Sequence, residues 1–326
     1  MMLNAATLHE ARPLPRHGGL RRRLADLLYR RRTLALLLLL VPPLMWYGTV
    51  YLGSLLALLA QSFYTFDDFT MAVSPALTLD NFRAIADPRN PLFQANIDIV
   101  LRTLGMAATV SIASALIAFP LAYYMSRYAR GAWKGVFYIA VMLPMWASYI
   151  VKAYAWTVIL AQGGIVYWCV EQLGLRGALD AVLALPVIGG TSLSTSQLGR
   201  FLVFTYIWLP FMILPIQAAL ERVPVSLLQA SADLGASPAQ TFRTVLLPLA
   251  FPGVVAGSIF TFSLTLGDFI IPQLVGPSGY FIGNMVYTMQ GAIGNIPMAA
   301  AFTVVPVIII AVYLGIARRL GAFDAL

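Results

Sequence analysis

Lys152 and Asp268 stand well inside two long apolar stretches of this 326-residue chain. At bilayer depth a charged side chain costs about 2.5–3.5 kcal/mol even on lenient insertion scales, so each must face protein interior or water. Two roles are open to them. As an ion pair they would fix one helix against another. Alternatively, Asp268 lies on a path and serves as the temporary partner of a cationic amine. Trp146, Tyr149, Tyr154 and Trp156 share the stretch that holds Lys152. Their ring faces suit the second role, since an aromatic face attracts an ammonium group by about 0.5–2 kcal/mol. They suit interfacial anchoring as well.

No enzyme chemistry is expected. The single cysteine, Cys169, has no internal partner, and both histidines, His9 and His17, fall in a basic N-terminal tail. No spacing of Cys, His or carboxylates resembles a metal site or a hydrolytic triad. A phosphate-binding loop needs a Gly-Lys pair within a glycine-rich turn. The only lysines, Lys134 and Lys152, follow Trp133 and Val151.

The elements that must carry these residues are membrane spans. The chain is 60% hydrophobic and 10% charged, with a mean hydropathy of +0.81. Soluble domains are about 45–50% apolar and about 25% charged. That difference excludes a soluble enzyme, a disordered chain and a nucleic-acid-binding module. The net charge of +8 does not argue for nucleic acid, because eight arginines precede residue 33, ahead of the first apolar run. A helix needs about 20 apolar residues to cross a bilayer core of about 30 Å. Six segments qualify: Leu34–Ala60, Ile99–Tyr124, Val136–Leu160, Phe201–Leu220, Leu246–Ile271 and Met298–Ala317. Pro42-Pro43 should kink the first or start a new helix within it. The first is also too long for a cleaved signal peptide. Domain organisation follows as a basic tail over 1–33, a membrane domain over 34–320 and a short tail over 321–326.

Basic residues set the sidedness, since cytoplasmic loops retain Lys and Arg. With the N-terminus inside, fifteen basic residues fall on the inner side and three on the outer side. Both termini are therefore expected in the cytoplasm. The outer loops carry most of the acidic residues, among them Asp67, Asp68, Asp80 and Asp87. Within 161–199 the short runs Val166–Leu173 and Ala178–Ile188 are read as interfacial or re-entrant pieces.

The inner segment 221–248 reads as two helices with a tight break. Ser226 is placed to cap a helix over Leu227–Leu234, with Leu227, Ala230, Ser231 and Leu234 on one face and Gln229 and Asp233 on another. Gly235 supplies a left-handed helix end. Ser237 caps a second helix with Pro238 at its first position, and Pro248 should end or kink that helix where the fifth span begins. Capping alone describes a surface helix and names no partner.

The stretch Gln229-Ala230-Ser231-Ala232-Asp233-Leu234-Gly235, followed by Val245-Leu246-Leu247-Pro248, resembles the cytoplasmic signature of ABC importer permeases. That pattern is Glu-Ala-Ala, three residues, Gly, nine residues, Ile, any residue, Leu-Pro. The departures are Gln229 for Glu, Ser231 for Ala and Val245 for Ile, and Gln229 removes a negative charge. Leu79-Asp80-Asn81-Phe82, Phe119-Pro120-Leu121-Ala122-Tyr123, Leu143-Pro144, Tyr154-Ala155-Trp156, Leu209–Pro215 and Leu266-Gly267-Asp268-Phe269 look like the spermidine/putrescine permease subfamily. Importers of opines and aminophosphonates share much of this pattern.

The resemblance implies an all-α polytopic membrane protein with six transmembrane helices, in the type I ABC importer permease fold. It implies that Gln229 through Ala236, with Leu247 and Pro248, form the coupling element that docks on a cytoplasmic ATPase. It also implies a second homologous permease, two ATP-binding subunits that carry ATP and Mg, an extracytoplasmic binding protein and a bacterial inner membrane. The cargo would be a polyamine or another small nitrogen-containing solute. An ion-coupled secondary transporter using Asp268 is the rival from another class, disfavoured by the coupling signature and the lack of evident inverted repeats.

Overall fold

The computed structural model describes Gly19 and residues 28–319. The remainder of the basic N-terminal tail, with both histidines, and residues 320–326 lie outside the described residues. So do five of the eight arginines of that tail. The chain divides into two compact units, 1–58 and 59–326.

In the first unit, α1 (Arg32–Trp46) runs through a widened π turn at Tyr47–Leu52 into α2 (Gly53–Gln61). No new helix starts at Pro42-Pro43, which sit inside α1. The missing N–H groups are absorbed within the helix, and the ladder is adjusted one turn later. Within the 18-residue window that qualifies this helix as a span, no residue is buried.

The second unit opens with a departure from the all-helical expectation. β1 (Tyr64–Asp67) pairs antiparallel with β2 (Ala72–Leu77) in the first loop. Alternating aromatic and β-branched residues favour this short hairpin. The Asp67 carboxylate closes its tip by accepting the Phe69 N–H at 2.8 Å. That bond holds the Asp67 carboxyl below the usual range, and the Thr78 hydroxyl does the same for Asp80. Both therefore stay ionised at neutral pH. Asn81, at the start of α3 (Asp80–Ala86), anchors the base of the hairpin by donating to the carbonyls of Ser62 and Tyr64 at 2.9 and 2.8 Å.

α4 (Phe93–Arg127) is 35 residues long, about 52 Å at helical rise, and so projects beyond a bilayer core at one or both ends. The expected third span is not one helix. α5 (Ala132–Trp146) and α6 (Tyr149–Ile159) meet at a 97° bend. Pro144 removes one helical donor near the end of α5, and Ala147 and Ser148 are extended. α7 (Ile165–Gln172) and α8 (Arg176–Leu183) occupy the two short apolar runs of the following loop.

α9 (Gln197–Arg222) leads into α10 (Val225–Asp233) and α11 (Pro238–Thr241). A π turn at Phe242–Leu246 then joins α11 to α12 (Leu247–Gly267). Pro248 does not end the helical run, which continues over Pro238–Gly267: it lacks the N–H that would bond the Thr244 carbonyl, and the widened turn accommodates it. α13 (Ile270–Leu274), α14 (Ile282–Thr288) and α15 (Ile296–Arg319) complete the chain. Among the described residues, five helices are long and apolar enough to span a membrane. The count reaches six when the bent α5/α6 pair is taken as one span.

The core lies where α4, α9 and α12 pack. Gly253 and Gly257 of α12 let it approach α9 closely: a Cβ on Gly253 would stand 2.6 Å from the Pro215 carbonyl, and one on Gly257 3.0 Å from the Met212 Cα. Small residues four apart are the usual means of close helix contact in membranes. The Thr261 hydroxyl bonds Ser111 of α4 at 3.2 Å across the same core.

Candidate functional site

Asp268 follows the last residue of α12 with an extended backbone, so it lies just past the fifth span rather than within it. Its Oδ1 accepts the N–H groups of Ile270 and Ile271 at 2.8 and 3.1 Å. Its Oδ2 accepts the Tyr149 hydroxyl. Tyr149 starts α6, and its ring stacks on Trp208 of α9 at 5.7 Å. Tyr149, Trp208, Ser263 and Asp268 border a cavity of about 300 Å³. Of the five buried side-chain polar atoms without partners among the described residues, two are the Trp208 Nε1 and the Asn284 Oδ1; the Asn284 amide donates to Phe269 next to Asp268.

Lys152 does not pair with Asp268. Its ammonium donates to the Pro144 carbonyl at 2.8 Å. The bend explains why: with Ser148 extended, Pro144 has lost its helical N–H partner, and Lys152 reaches back from α6 to supply one. Only Tyr149 of the four aromatic candidates contacts Asp268. Trp146 is 81% exposed and Tyr154 57% exposed, while Trp156 packs on Tyr206 at 5.0 Å. Reasoning from sequence missed Trp208, which lies on a different span and shows no local motif.

It also missed Arg200, the largest fully buried side chain among the described residues. Its guanidinium donates to the carbonyls of Val275, Pro277 and Pro272 at 2.8, 2.9 and 3.3 Å, and to Gln197 Oε1 at 3.1 Å. It also lies 4.6 Å from the Phe281 ring centroid. A charged residue at a span end is usually solvated, and nothing local in the sequence separates this one from Arg102.

The segment 221–248 forms the expected pair of helices, with differences. α10 starts at Val225 after Pro224, so Ser226 lies inside the helix and caps nothing. Burial divides the expected apolar face. Ser231 turns inward beside the partly buried Leu228, whereas Leu227, Ala230 and Leu234 face outward with Gln229, Ala232 and Asp233. Leu234 is 88% exposed. Gly235 is left-handed at φ +77°, and Ala236 donates to the Ser231 carbonyl at 3.1 Å. Ser237 and Gln240 form a reciprocal capping box around Pro238. The Ser231 and Thr241 hydroxyls meet at 2.8 Å and tie α10 to α11.

The root of this element is fixed from two other helices. Arg127 of α4 donates to the carbonyls of Leu220 and Val223 at 3.0 and 2.8 Å. Lys134 of α5 pairs with Glu221 at 2.8 Å. Leu247 and Pro248 open α12 immediately beyond the π turn.

Apolar helices long enough to cross a membrane, with the short pair α10 and α11 between two of the core helices, are those of a multi-pass membrane protein. The chain belongs to the family described as binding-protein-dependent transport system inner membrane component, whose model matches residues 114–322. It is 70% identical over 293 residues to the inner membrane ABC transporter permease protein YdcU of Escherichia coli (strain K12), covering 90% of this chain and 92% of that protein. It is 29% identical to the spermidine/putrescine transport system permease protein PotB of Haemophilus influenzae, over 76% of this chain and 81% of the relative. In fold it resembles a chain of a bacterial ABC transporter involved in the import of alginate, with a TM-score of 0.62 at 20% identity, covering 91% of this chain and 99% of that one. It also resembles a chain of the MetNI methionine ABC transporter in an inward-facing form, with a TM-score of 0.52 at 19% identity, over 72% of this chain and 98% of that one. The fold is that of ABC importer permeases.

Proposed function

We propose that this permease carries a small cationic amine of the spermidine/putrescine class across the bacterial inner membrane, driven by ATP hydrolysed on separate subunits. The observation that carries the reading is the Asp268 carboxylate at the wall of the cavity beside Tyr149 and Trp208. Its Oδ1 is committed to two backbone amides, whereas Oδ2 is held by one phenol. An incoming ammonium can displace that phenol and gain a charge-assisted bond, with the stacked Tyr149 and Trp208 rings available as cation–π partners. Similarity to PotB supports the same cargo class.

In this reading Trp146 and Tyr154 are exposed anchors, Trp156 is a packing residue, and Lys152 holds the bend between α5 and α6. The outward side chains of Gln229, Ala230, Ala232, Asp233 and Leu234 dock on an ATP-binding subunit. Gly235 and Ala236 form the turn, Ser231 braces it, and Leu247-Pro248 transmits its motion into α12. The working transporter comprises this chain, a second homologous permease, two ATP-binding subunits carrying ATP and Mg, and an extracytoplasmic binding protein that supplies most of the selectivity. Both termini lie in the cytoplasm. Motion of α10 and α11 switches the bundle between two packings.

The test is uptake of labelled putrescine and spermidine into vesicles bearing the complete transporter, with Asp268→Asn alongside. Asp268→Asn should slow uptake by about tenfold or more, given the worth of a desolvated charge pair, with assembly retained. Unchanged uptake kinetics would remove Asp268 from the path.

A further inference from the structure

Asp268 and Arg200 are both buried, at 8% and 0% exposure, and no acidic side chain pairs with Arg200 among the described residues. The two charges nevertheless meet opposite ends of one element. Asp268 receives the first amides of the five-residue α13, those of Ile270 and Ile271. Arg200 receives the carbonyls at its other end, Pro272 within its last turn and Val275 immediately after it, and then Pro277. Unpaired helix-end amides carry partial positive charge and unpaired end carbonyls partial negative charge. A carboxylate at the start and a guanidinium at the finish each meet the sign they need.

The backbone around Arg200 is shaped for this contact. Gly276 has φ +102°, and a Cβ there would stand 2.5 Å from the Arg200 Nε. The Gly276 N–H is tied to the Ser194 carbonyl at 2.8 Å, just ahead of α9. Thus α13 is clamped at its end by α9 and at its start by the carboxylate that lines the cavity.

We propose that Arg200 is a positioning residue for the Asp268 carboxylate, acting through α13. The two buried charges behave as one unit with a single helical turn between them. Releasing the Arg200 end lets α13 shift, loosens the Ile270 and Ile271 amides from Asp268 Oδ1, and leaves the carboxylate free to rotate away from the cavity. Arg200 therefore influences how well a cationic cargo is held without touching it. This inference rests on the reading that Asp268 lies on the cargo path, and the experiment below separates the two.

The assembled transporter in lipid nanodiscs, carrying Arg200→Lys, is compared with wild type by hydrogen–deuterium exchange and by uptake kinetics after transfer to vesicles. Lysine keeps the charge but cannot serve three separated carbonyls at once. The peptide containing the Ile270 and Ile271 amides should exchange about tenfold faster, while the interiors of α9 and α12 keep their protection. The KM for putrescine should rise by about three- to tenfold with a smaller change in Vmax, and in an Asp268→Asn background Arg200→Lys should add no further KM change. Gly276→Ala attacks the same contact from the loop side and should give the same exchange pattern if Arg200→Lys fails to assemble. Wild-type protection at Ile270 and Ile271 in the assembled variants overturns the positioning role. Faster exchange with no KM change in either Arg200→Lys or Asp268→Asn supports the positioning role and removes Asp268 from the path.

Discussion

The Tyr149 hydroxyl donates to Asp268 Oδ2 across the join between the broken third span and the end of α12. This contact makes the bend between α5 and α6 part of the site. A straight helix through residues 146–149 would carry Tyr149 elsewhere. The same bend commits Lys152 to the Pro144 carbonyl, so Asp268 is left with a neutral partner that an ammonium can replace.

Tyr149→Phe removes that competitor and keeps the ring that stacks on Trp208. Cargo should then be held more tightly and released more slowly, because a path that binds well passes its cargo poorly. Uptake kinetics in vesicles should show a lower KM and a Vmax reduced by about tenfold or more, on the scale of one hydrogen bond to a charged group.

Gly253→Ala tests the close packing of α12 on α9. The new Cβ would meet the Pro215 carbonyl and the Ala219 Cβ, both at 2.6 Å, and a backbone oxygen cannot step aside as a flexible side chain can. The variant should lose about 1–3 kcal/mol of stability by overpacking, seen as a lower thermal transition of the purified complex. Gly105→Ala, where an added Cβ meets nothing within 4 Å, should leave the transition in place.

Much of this architecture was legible because membrane burial imposes a coarse rule. Runs of about 20 apolar residues mark spans whatever their neighbours do, so five of the six segments correspond to long helices. Caps are local too, and Gly235, Ser237 and Pro238 took the roles that their backbone preferences dictate. Contacts between distant segments were not legible. Nothing near Tyr149 in the sequence indicates Trp208 or Asp268, and nothing near Arg200 shows that a loop more than seventy residues later would wrap its guanidinium. The 97° bend was missed for a related reason: hydropathy is blind to direction, and Pro144 reads the same in a kinked helix as in a broken one. The inward turn of Ser231 goes with its contact to Thr241 of α11, a tertiary pairing that the periodicity of α10 does not show.

Gly235→Pro should uncouple the transporter. Proline is held near φ −65°, and Gly235 sits at φ +77°, so the turn between α10 and α11 cannot form as it stands. ATP-driven uptake in vesicles should fall by more than tenfold, given the several kcal/mol that an incompatible proline costs, while the variant chain still reaches the membrane. Normal uptake would count against the coupling assignment.

The most direct measurement for the central claim is the amount of ATP-binding subunit recovered when this chain is purified from its native membrane as wild type and as Leu234→Asp. Leu234 is 88% exposed, so the substitution spares the fold and alters only what can dock there. Wild type should bring the ATP-binding subunit with it and the variant should lose most of it, at equal yields of the permease. Full recovery with Leu234→Asp, together with normal ATP-driven uptake, would contradict the assignment of α10 and α11 as the docking surface.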